Sequence, residues 1–563
     1  MGTPDFRVRL RTLMVLLAVC VLMLVPITGP ARAVQAGNYP FAAVGGSGGP
    51  TEPGTMIPVA PVRMLDTRAT TAVGPDSSVS FQVAGVGGIP AGVSAVVFNL
   101  TVTAPQSFGF ISAYASGTPR PNASNVNFAA GQTVPNLATV PVGADGKVTL
   151  FNRSSGTTQL IADVSGYYLP GTPVGSVWTW GGATDTTAPT GMVGLSGVTT
   201  LSGGHSKYAL LSNGTVQAWG VNAFGELGNG TTTDSSTPVQ VTGLSGVKSV
   251  AASFDAAYAL LSDGTVWAWG HNNSGQLGNG TATDSSIPIQ VPGLTGVRSV
   301  TAGDYAAYAV LMDGTVRAWG QNSVLGWLGN GTTTNSNVPV PVTGLSDVKS
   351  VTTGIWNLTV YALLNDGTVR AWGYNTNGQL GNGTAPGSSS TPVQVAGLTG
   401  VTSVVSGSEA AYAVLSDGTL WAWGHNLRGQ LGNGTTTDSS TPVQITGLTG
   451  VVSVHSTNET AYAVLSDGTV RSWGANPSGV LGNGTTSNSS TPVQVSNLNG
   501  VKTLATTNNA AYALLTDGTI RTWGNNDTGI LGNGTTTSST TPVQVVGISH
   551  ITGLLESEVP PAS

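Results

Sequence analysis

Charge is scarce: 8% of the 563 residues are Asp, Glu, Lys or Arg, against 40% hydrophobic residues. Disorder driven by like charge is thereby excluded. A single cysteine, Cys20, excludes a disulfide framework and a thiolate zinc site. Only 19 basic residues face 25 acidic ones, with no basic run beyond the N-terminus, which argues against a nucleic-acid surface. What is abundant is glycine, at 80 residues. Such a chain must hold itself together by packing and backbone hydrogen bonding, which favours β architecture with large aromatic side chains.

The first 33 residues read as an export signal. Arg7, Arg9 and Arg11 precede the apolar run from Leu13 to Ile27, which ends in the small-residue site Ala31-Arg32-Ala33. That run falls short of the roughly 20 residues a spanning helix needs. Cys20 sits inside the run behind Val19, where a lipoprotein signal wants a small residue. Cleavage after Ala33 is expected to leave a mildly acidic, thiol-free, secreted chain of 15 basic and 24 acidic residues with no membrane contact.

Residues 34–57 are Gly- and Pro-rich without periodicity and read as a flexible leader, and 170–176 as a short linker. Between them, 58–169 contains about seven β-branched or aromatic runs separated by turn signals such as Asp145-Gly146, the pattern of a small β-sandwich. The strings PVAPVRMLDTR (58–68), VSAVVFNLTVTAP (93–105), ASNVNFAAGQTVPN (123–136) and ADVSGYY (162–168) carry a resemblance to an accessory module that recurs in exported actinobacterial proteins. The resemblance implies at most a role in surface attachment. Arg63, Asp66, Arg68 and Asp163 read as ion pairs locking strand ends.

From 177 to 555 an internal repeat governs the chain. A Tyr-Ala-Leu/Val-Leu string followed by Asp/Asn-Gly-Thr begins at Tyr208, Tyr258, Tyr308, Tyr361, Tyr412, Tyr462 and Tyr512, and a Trp-Gly pair follows each, from Trp219 to Trp523. Each period of about 50 residues resolves into four short strands, A to D. The Asp-Gly pair between B and C marks a tight hairpin turn, and the Trp of C supplies a large apolar body. Four-stranded units that cannot bury both faces alone are what a β-propeller stacks radially.

Seven consecutive matches to ALLSDGTVxAWGxNxxGQLGNGT make the repeats similar to those of the regulator-of-chromosome-condensation family, and the resemblance implies an all-β, seven-bladed propeller, with the orphan segments leaving closure open between seven blades and a defective eighth. Two orphan segments remain, VWTWG (177–181) and ISHITGL (548–554), and closure predicts that they lie side by side, since an open end would leave unpaired edge groups. Residues 556–563 form a tail.

No catalytic residue, metal ligand or cofactor is nominated. The five histidines, 205, 271, 425, 455 and 550, lie in different repeats or the tail without metal-ligand or carboxylate spacing. The recurrent Asp-Gly carboxylates, Asp263, Asp313, Asp366, Asp417, Asp467 and Asp517, are explained by their turns. Neither a nucleophile elbow nor a phosphate loop is present.

Information resides where the repeats stop copying each other, before strand B and after strand C. In an antiparallel meander both loop sets emerge at one end, while the Asp-Gly turns emerge at the other. Phe224, Phe254, Asp255, Asp304, Tyr305, Trp327, Trp356, Tyr374, Glu409 and Arg428 give that end the composition of a protein-binding surface. Drift in unconstrained loops is the alternative. The largest deviation is the 53-residue unit, with extra residues around Ile355-Trp356-Asn357 and with Trp327 at a usually polar position. The sequence therefore reads as a secreted, non-catalytic, monomeric protein-binding propeller, including the inhibitor-like form, with an extracellular enzyme or wall component as partner. A wall-associated structural or adhesive protein is the alternative, and a propeller lyase or hydrolase the least favoured reading.

Overall fold

The computed structural model describes residues 41–45, 56–90, 93–168, 177–181, 186–354, 359–457, 459–507, 509–548 and 551–554. The expected signal, linker and tail lie outside the described residues, as do Trp356 and His550. Among the described residues, no helix is long and apolar enough to cross a membrane.

The protein is all-β, built from repeated four-stranded antiparallel sheets. In the second repeat, Val247–Ala252, Ala256–Leu261, Val266–Gly270 and Ser285–Gln290 form strands A to D in that order across the sheet. Strand B is apolar throughout because both its faces are covered: Tyr258 and Leu260 pack one way, Ala257 and Ala259 the other, and all four are buried. Strand D is the outer edge, where Pro288 removes no ladder hydrogen bond that a neighbour needs. D begins earlier than the Pro-Val-Gln string suggests, because a register shift between Ala218 and Gly220 of strand C in repeat one brings Ser235 opposite Gly220.

Seven sheets of consecutive strands correspond to the seven repeats. An eighth is composite: Thr190–Gly191, Val177–Trp180, Phe41–Gly45 and Ile551–Leu554, in that order. Two expectations are corrected here. The orphan segments share a sheet but are not adjacent, because Phe41–Gly45 lies between them, with Ala43 opposite both Trp178 and Leu554. The stretch read as a flexible leader therefore contains a strand, Phe41–Gly45, and the composite sheet stands beside the seven repeat sheets. The physical reason is the one that motivated closure: Phe41–Gly45 offers backbone donors and acceptors to both otherwise exposed edges.

Successive sheets share cores. Tyr258 meets Trp319 of the next repeat edge to face, with ring centroids 6.0 Å apart, and the same pair recurs from Tyr208–Trp269 to Tyr462–Trp523. The composite sheet continues the series in both directions. Tyr512 packs against Trp180 at 6.4 Å, and Val177 packs with Val198, Ala209 and Trp219 of repeat one.

In sequence, residues 56–168 fall between the second and third strands of the composite sheet. They form two four-stranded sheets with a common core that includes Phe81, Phe98, Leu100, Ile111 and Leu150. Arg63 pairs with Asp163 at 2.9 Å and with Asp66 at 3.2 Å, while Arg68 pairs with Asp66 at 2.7 Å. The Arg68 hydrogen bond, ahead of the other contributions, holds the Asp66 carboxyl down at about 2.

Candidate binding face

Each sheet has two chemically different ends. At the B–C end, Asp263 Oδ1 accepts from the Thr265 backbone N–H at 2.9 Å and its hydroxyl at 2.7 Å, which holds the carboxyl below the usual range. Asp313, Asp366, Asp417, Asp467 and Asp517 repeat the arrangement. These carboxylates are committed to their turns.

At the opposite end the A–B loop and the start of the C–D loop are tied directly together. The N–H of His271 donates to the Asp255 carbonyl at 2.8 Å, and the same bond joins Gln321 to Tyr305 and His425 to Glu409, each at 2.9 Å. Both varied loop sets therefore share one end.

The C–D loop is organised by a buried Asn whose role sequence reasoning missed, although it stands in all seven repeats. Asn272 Oδ1 accepts from the Leu277 N–H at 2.8 Å, its Nδ2 donates to the Thr283 carbonyl at 2.9 Å, and its own N–H donates to Asp284 Oδ1 at 2.7 Å. The loop then presents the Gln276 carbonyl to two donors at once, Tyr258 Oη at 2.8 Å and Trp319 Nε1 of the next repeat at 2.9 Å. Gly278 follows, with φ +63°, and a Cβ there would lie 2.7 Å from Trp319 Cδ1. The Leu-Gly-Asn-Gly string is thus the socket for the neighbouring Trp.

The candidate residues separate into groups on this frame. In repeats one to three, His205 stacks on Phe254, with centroids 4.9 Å apart, and its Nδ1 lies 2.8 Å from Asp255 Oδ1. Phe224, 37% exposed, lies over His271 at 4.2 Å. His271 Nδ1 stands 3.2 Å from Asp284 Oδ1. Burial opposes charge on this ring, but the close Asp284 carboxylate outweighs it and raises the His271 pKa above the ordinary value. The sequence offered no His-plus-carboxylate spacing, because this pair closes across the C–D loop rather than along a strand. Tyr305 is 36% exposed, and burial together with the charges of Asp304 and Asp255 raises its phenol.

In repeats four to six, Asn377 Nδ2 donates to Glu409 Oε2 at 3.1 Å, and His425 stands 4.0 Å from Glu409 and 3.2 Å from Asp438. Arg428 reaches Glu459 at 3.7 Å. Tyr374 is half-buried, and its carbonyl accepts from Thr359 Oγ1.

Trp327 is corrected: it is 8% exposed and belongs to the packing. Its carbonyl takes Tyr308 Oη at 2.8 Å and Trp372 Nε1 at 2.7 Å, the role Gln276 fills one repeat earlier. Its side chain occupies the loop interior instead of reaching a partner.

Charge is segregated between the ends. Among the described residues, the A–B and C–D loops carry Glu226, Asp234, Asp255, Asp284, Asp304, Glu409, Asp438, Glu459 and Asp527 against the exposed Arg428 and the buried Lys207. The turn end balances its aspartates with Arg317, Arg370, Arg471 and Arg521 of strand C and Lys248, Arg298, Lys349 and Lys502 of strand A. No group of three or more His, Cys, Asp or Glu among the described residues could hold a metal ion.

A family model for the RCC1-like domain matches residues 257–556, and one for the regulator of chromosome condensation (RCC1) repeat matches 213–258. The ultraviolet-B receptor UVR8 of Arabidopsis thaliana is 33% identical over 115 residues, 20% of this chain and 26% of that protein. The probable E3 ubiquitin-protein ligase HERC6 of Homo sapiens is 34% identical over 98 residues, 17% of this chain and 10% of that protein. The chain thus matches about a quarter or less of the length of these relatives. The crystal structure of Prp20p from Saccharomyces cerevisiae aligns with a TM-score of 0.48 and 22% identity, covering 60% of this chain and 87% of that one.

Proposed function

The chain belongs to the RCC1-like domain family, and from that premise we propose that it is an exported, non-catalytic propeller that binds an extracellular protein through the end bearing the A–B and C–D loops. The observation that carries this reading is the backbone bond from His271 to Asp255, with its counterparts in other repeats, which gathers the varied residues at one end. The opposite end is uniform and its carboxylates are spent on turns. The ring is read as eight sheets, the composite one joining repeat seven to repeat one. Export rests on the order of charged, apolar and small residues before Val34.

The test is capture from the producing organism's culture fluid with three forms of the chain: unaltered, F224A/Y305A at the loop end, and R370A/R521A at the turn end. A stoichiometric protein retained by the first and third forms but lost from the second supports the reading. Retention by all three, or by none, overturns it.

A further inference from the structure

We propose that the loop end of repeats one to three is a docking surface for a cationic segment of the partner, one rich in Arg or Lys. The proposal deepens the protein-binding reading above and rests on it.

Asp255 is the hub of this surface. It lies beside His205 at 2.8 Å and within electrostatic reach of Glu226, His271 and Tyr305. Asp304 adds a further carboxylate from the A–B loop of repeat three. Among the described residues, Arg and Lys at the loop end are limited to Arg428 and the buried Lys207, with His205 and His271 beside Asp255 and Asp284, so acids outnumber bases there and the field favours approach of positive charge. Phe224 and Tyr305 expose ring surface beside these acids, and a guanidinium or ammonium group gains from an aromatic face as well as from a carboxylate.

An independent observation comes from Glu226, which is 1% exposed. Its Oε2 accepts from the Phe224 N–H at 2.8 Å, while its Oε1 has no hydrogen-bond partner. Folding does not require a carboxylate here, because the equivalent acceptor is a neutral amide elsewhere. Gln276 Oε1 takes the Ser274 N–H, Gln379 Oε1 the Asn377 N–H and Gln430 Oε1 the Arg428 N–H, each at 2.8 Å. Repeat one thus places a carboxyl, within electrostatic reach of Asp255, where repeats two, four and five place an amide whose oxygen fills the same role. A bridging water would suit the amide and the carboxyl equally, whereas a nearby cation favours the carboxylate over its protonated form.

The test uses the full chain and a fluorescent octa-arginine peptide, with octa-glutamate as the control, read by anisotropy at two salt concentrations. Two double variants remove the same formal charge, D255N/E226Q at the loop end and D263N/D417N at the turn end, and thermal melts confirm that each is folded. The expected result is salt-sensitive octa-arginine binding that weakens about tenfold or more in D255N/E226Q and stays within about twofold in D263N/D417N. E226Q alone, which installs the residue repeats two, four and five already carry, should weaken binding about threefold. Equal losses in both double variants, or unchanged binding in D255N/E226Q, overturn the proposal. Partner capture through the loop end without octa-arginine binding would overturn it too, yet leave the protein-binding reading standing.

Discussion

Trp180 Nε1 donates to the Ile530 carbonyl at 3.0 Å, across 350 residues of chain. Every junction from repeat one to repeat seven uses the same bond, as when Trp319 Nε1 reaches Gln276 O. The composite sheet therefore docks on the last repeat as the repeats dock on one another. Because Trp180 is fully buried against Tyr512, Leu531 and Ile548, Trp180→Ala should cost about 3–5 kcal/mol, as for other large-to-small core changes. Denaturant unfolding should give a loss comparable to that of Trp319→Ala. A loss below about 1 kcal/mol would show that the composite sheet is not part of the ring.

The N-terminal strand makes a sharper case. Ala43 lies opposite Leu554 in an antiparallel pair, a geometry within reach of a disulfide. Cys20, the sole cysteine, lies inside the expected signal, so a chain beginning at Val34 offers no competing thiol. A43C/L554C should crosslink on oxidation, seen as a mobility shift in denaturing gels that reductant reverses. Absence of the crosslink in folded protein would remove Phe41–Gly45 from the sheet.

Those two predictions mark the limit of what could be read from residues alone. The seven repeat sheets were legible because Tyr, Asp-Gly and Trp-Gly recur at fixed spacing and each performs a local task. Strand Phe41–Gly45 was not, because five residues in a Gly- and Pro-rich stretch carry no periodicity, and both partners lie more than a hundred residues away. The shared end of the varied loops followed from meander geometry, and the His271–Asp255 backbone bond expresses it directly. The charge asymmetry between the ends, the His271–Asp284 pair and the part played by Asn272 emerge only once the loops are folded back on themselves.

Trp327 looked like a binding residue because it replaces a polar one, but it lies inside its loop. Trp327→Gln restores the residue type of Gln276 and leaves the carbonyl that Tyr308 and Trp372 use. The buried Trp327 Nε1 has no hydrogen-bond partner, so part of the lost packing is offset. Stability should change by no more than about 1 kcal/mol by thermal melts, and partner capture should be unaltered. A selective loss of capture would reinstate Trp327 as a contact residue.

His455 makes stability depend on acid. It sits in strand A of repeat six, Val451–Ser456, and burial pushes its pKa down to about 4 from the ordinary 6.5. Between those values the unfolded chain binds the proton and the folded chain does not, so stability falls as pH drops through this window. Part of the ring remains accessible, which moderates the effect to about 1–2 kcal/mol between pH 6.5 and 4.5. His455→Thr, the residue type at Thr301 and Thr352 in the equivalent position, should flatten that slope. An unchanged slope in unfolding experiments across the range would assign it to other groups.

Glu226 should act in the opposite direction. Burial raises its carboxyl above the usual 4.5, with Asp255 and Asp234 adding to the effect, so the folded chain holds a proton that the unfolded chain has released. Stability associated with this group is present below the unfolded value and is lost as pH rises through the raised one. At neutral pH the carboxylate is therefore a burden, with Oε1 lacking a hydrogen-bond partner. Glu226→Gln removes the charge while an amide oxygen can still accept from the Phe224 N–H, as Gln276 does from Ser274. The variant should be more stable than the unaltered chain at pH 7 by on the order of 1 kcal/mol. The gain should shrink as pH falls and vanish below about pH 4, where both carry a neutral group. Paired denaturant titrations at pH 4 and pH 7 measure the difference. A variant less stable at pH 7 would mean that the Glu226 carboxylate is satisfied within the fold, and the argument that it stands ready for an external cation would lose its energetic basis.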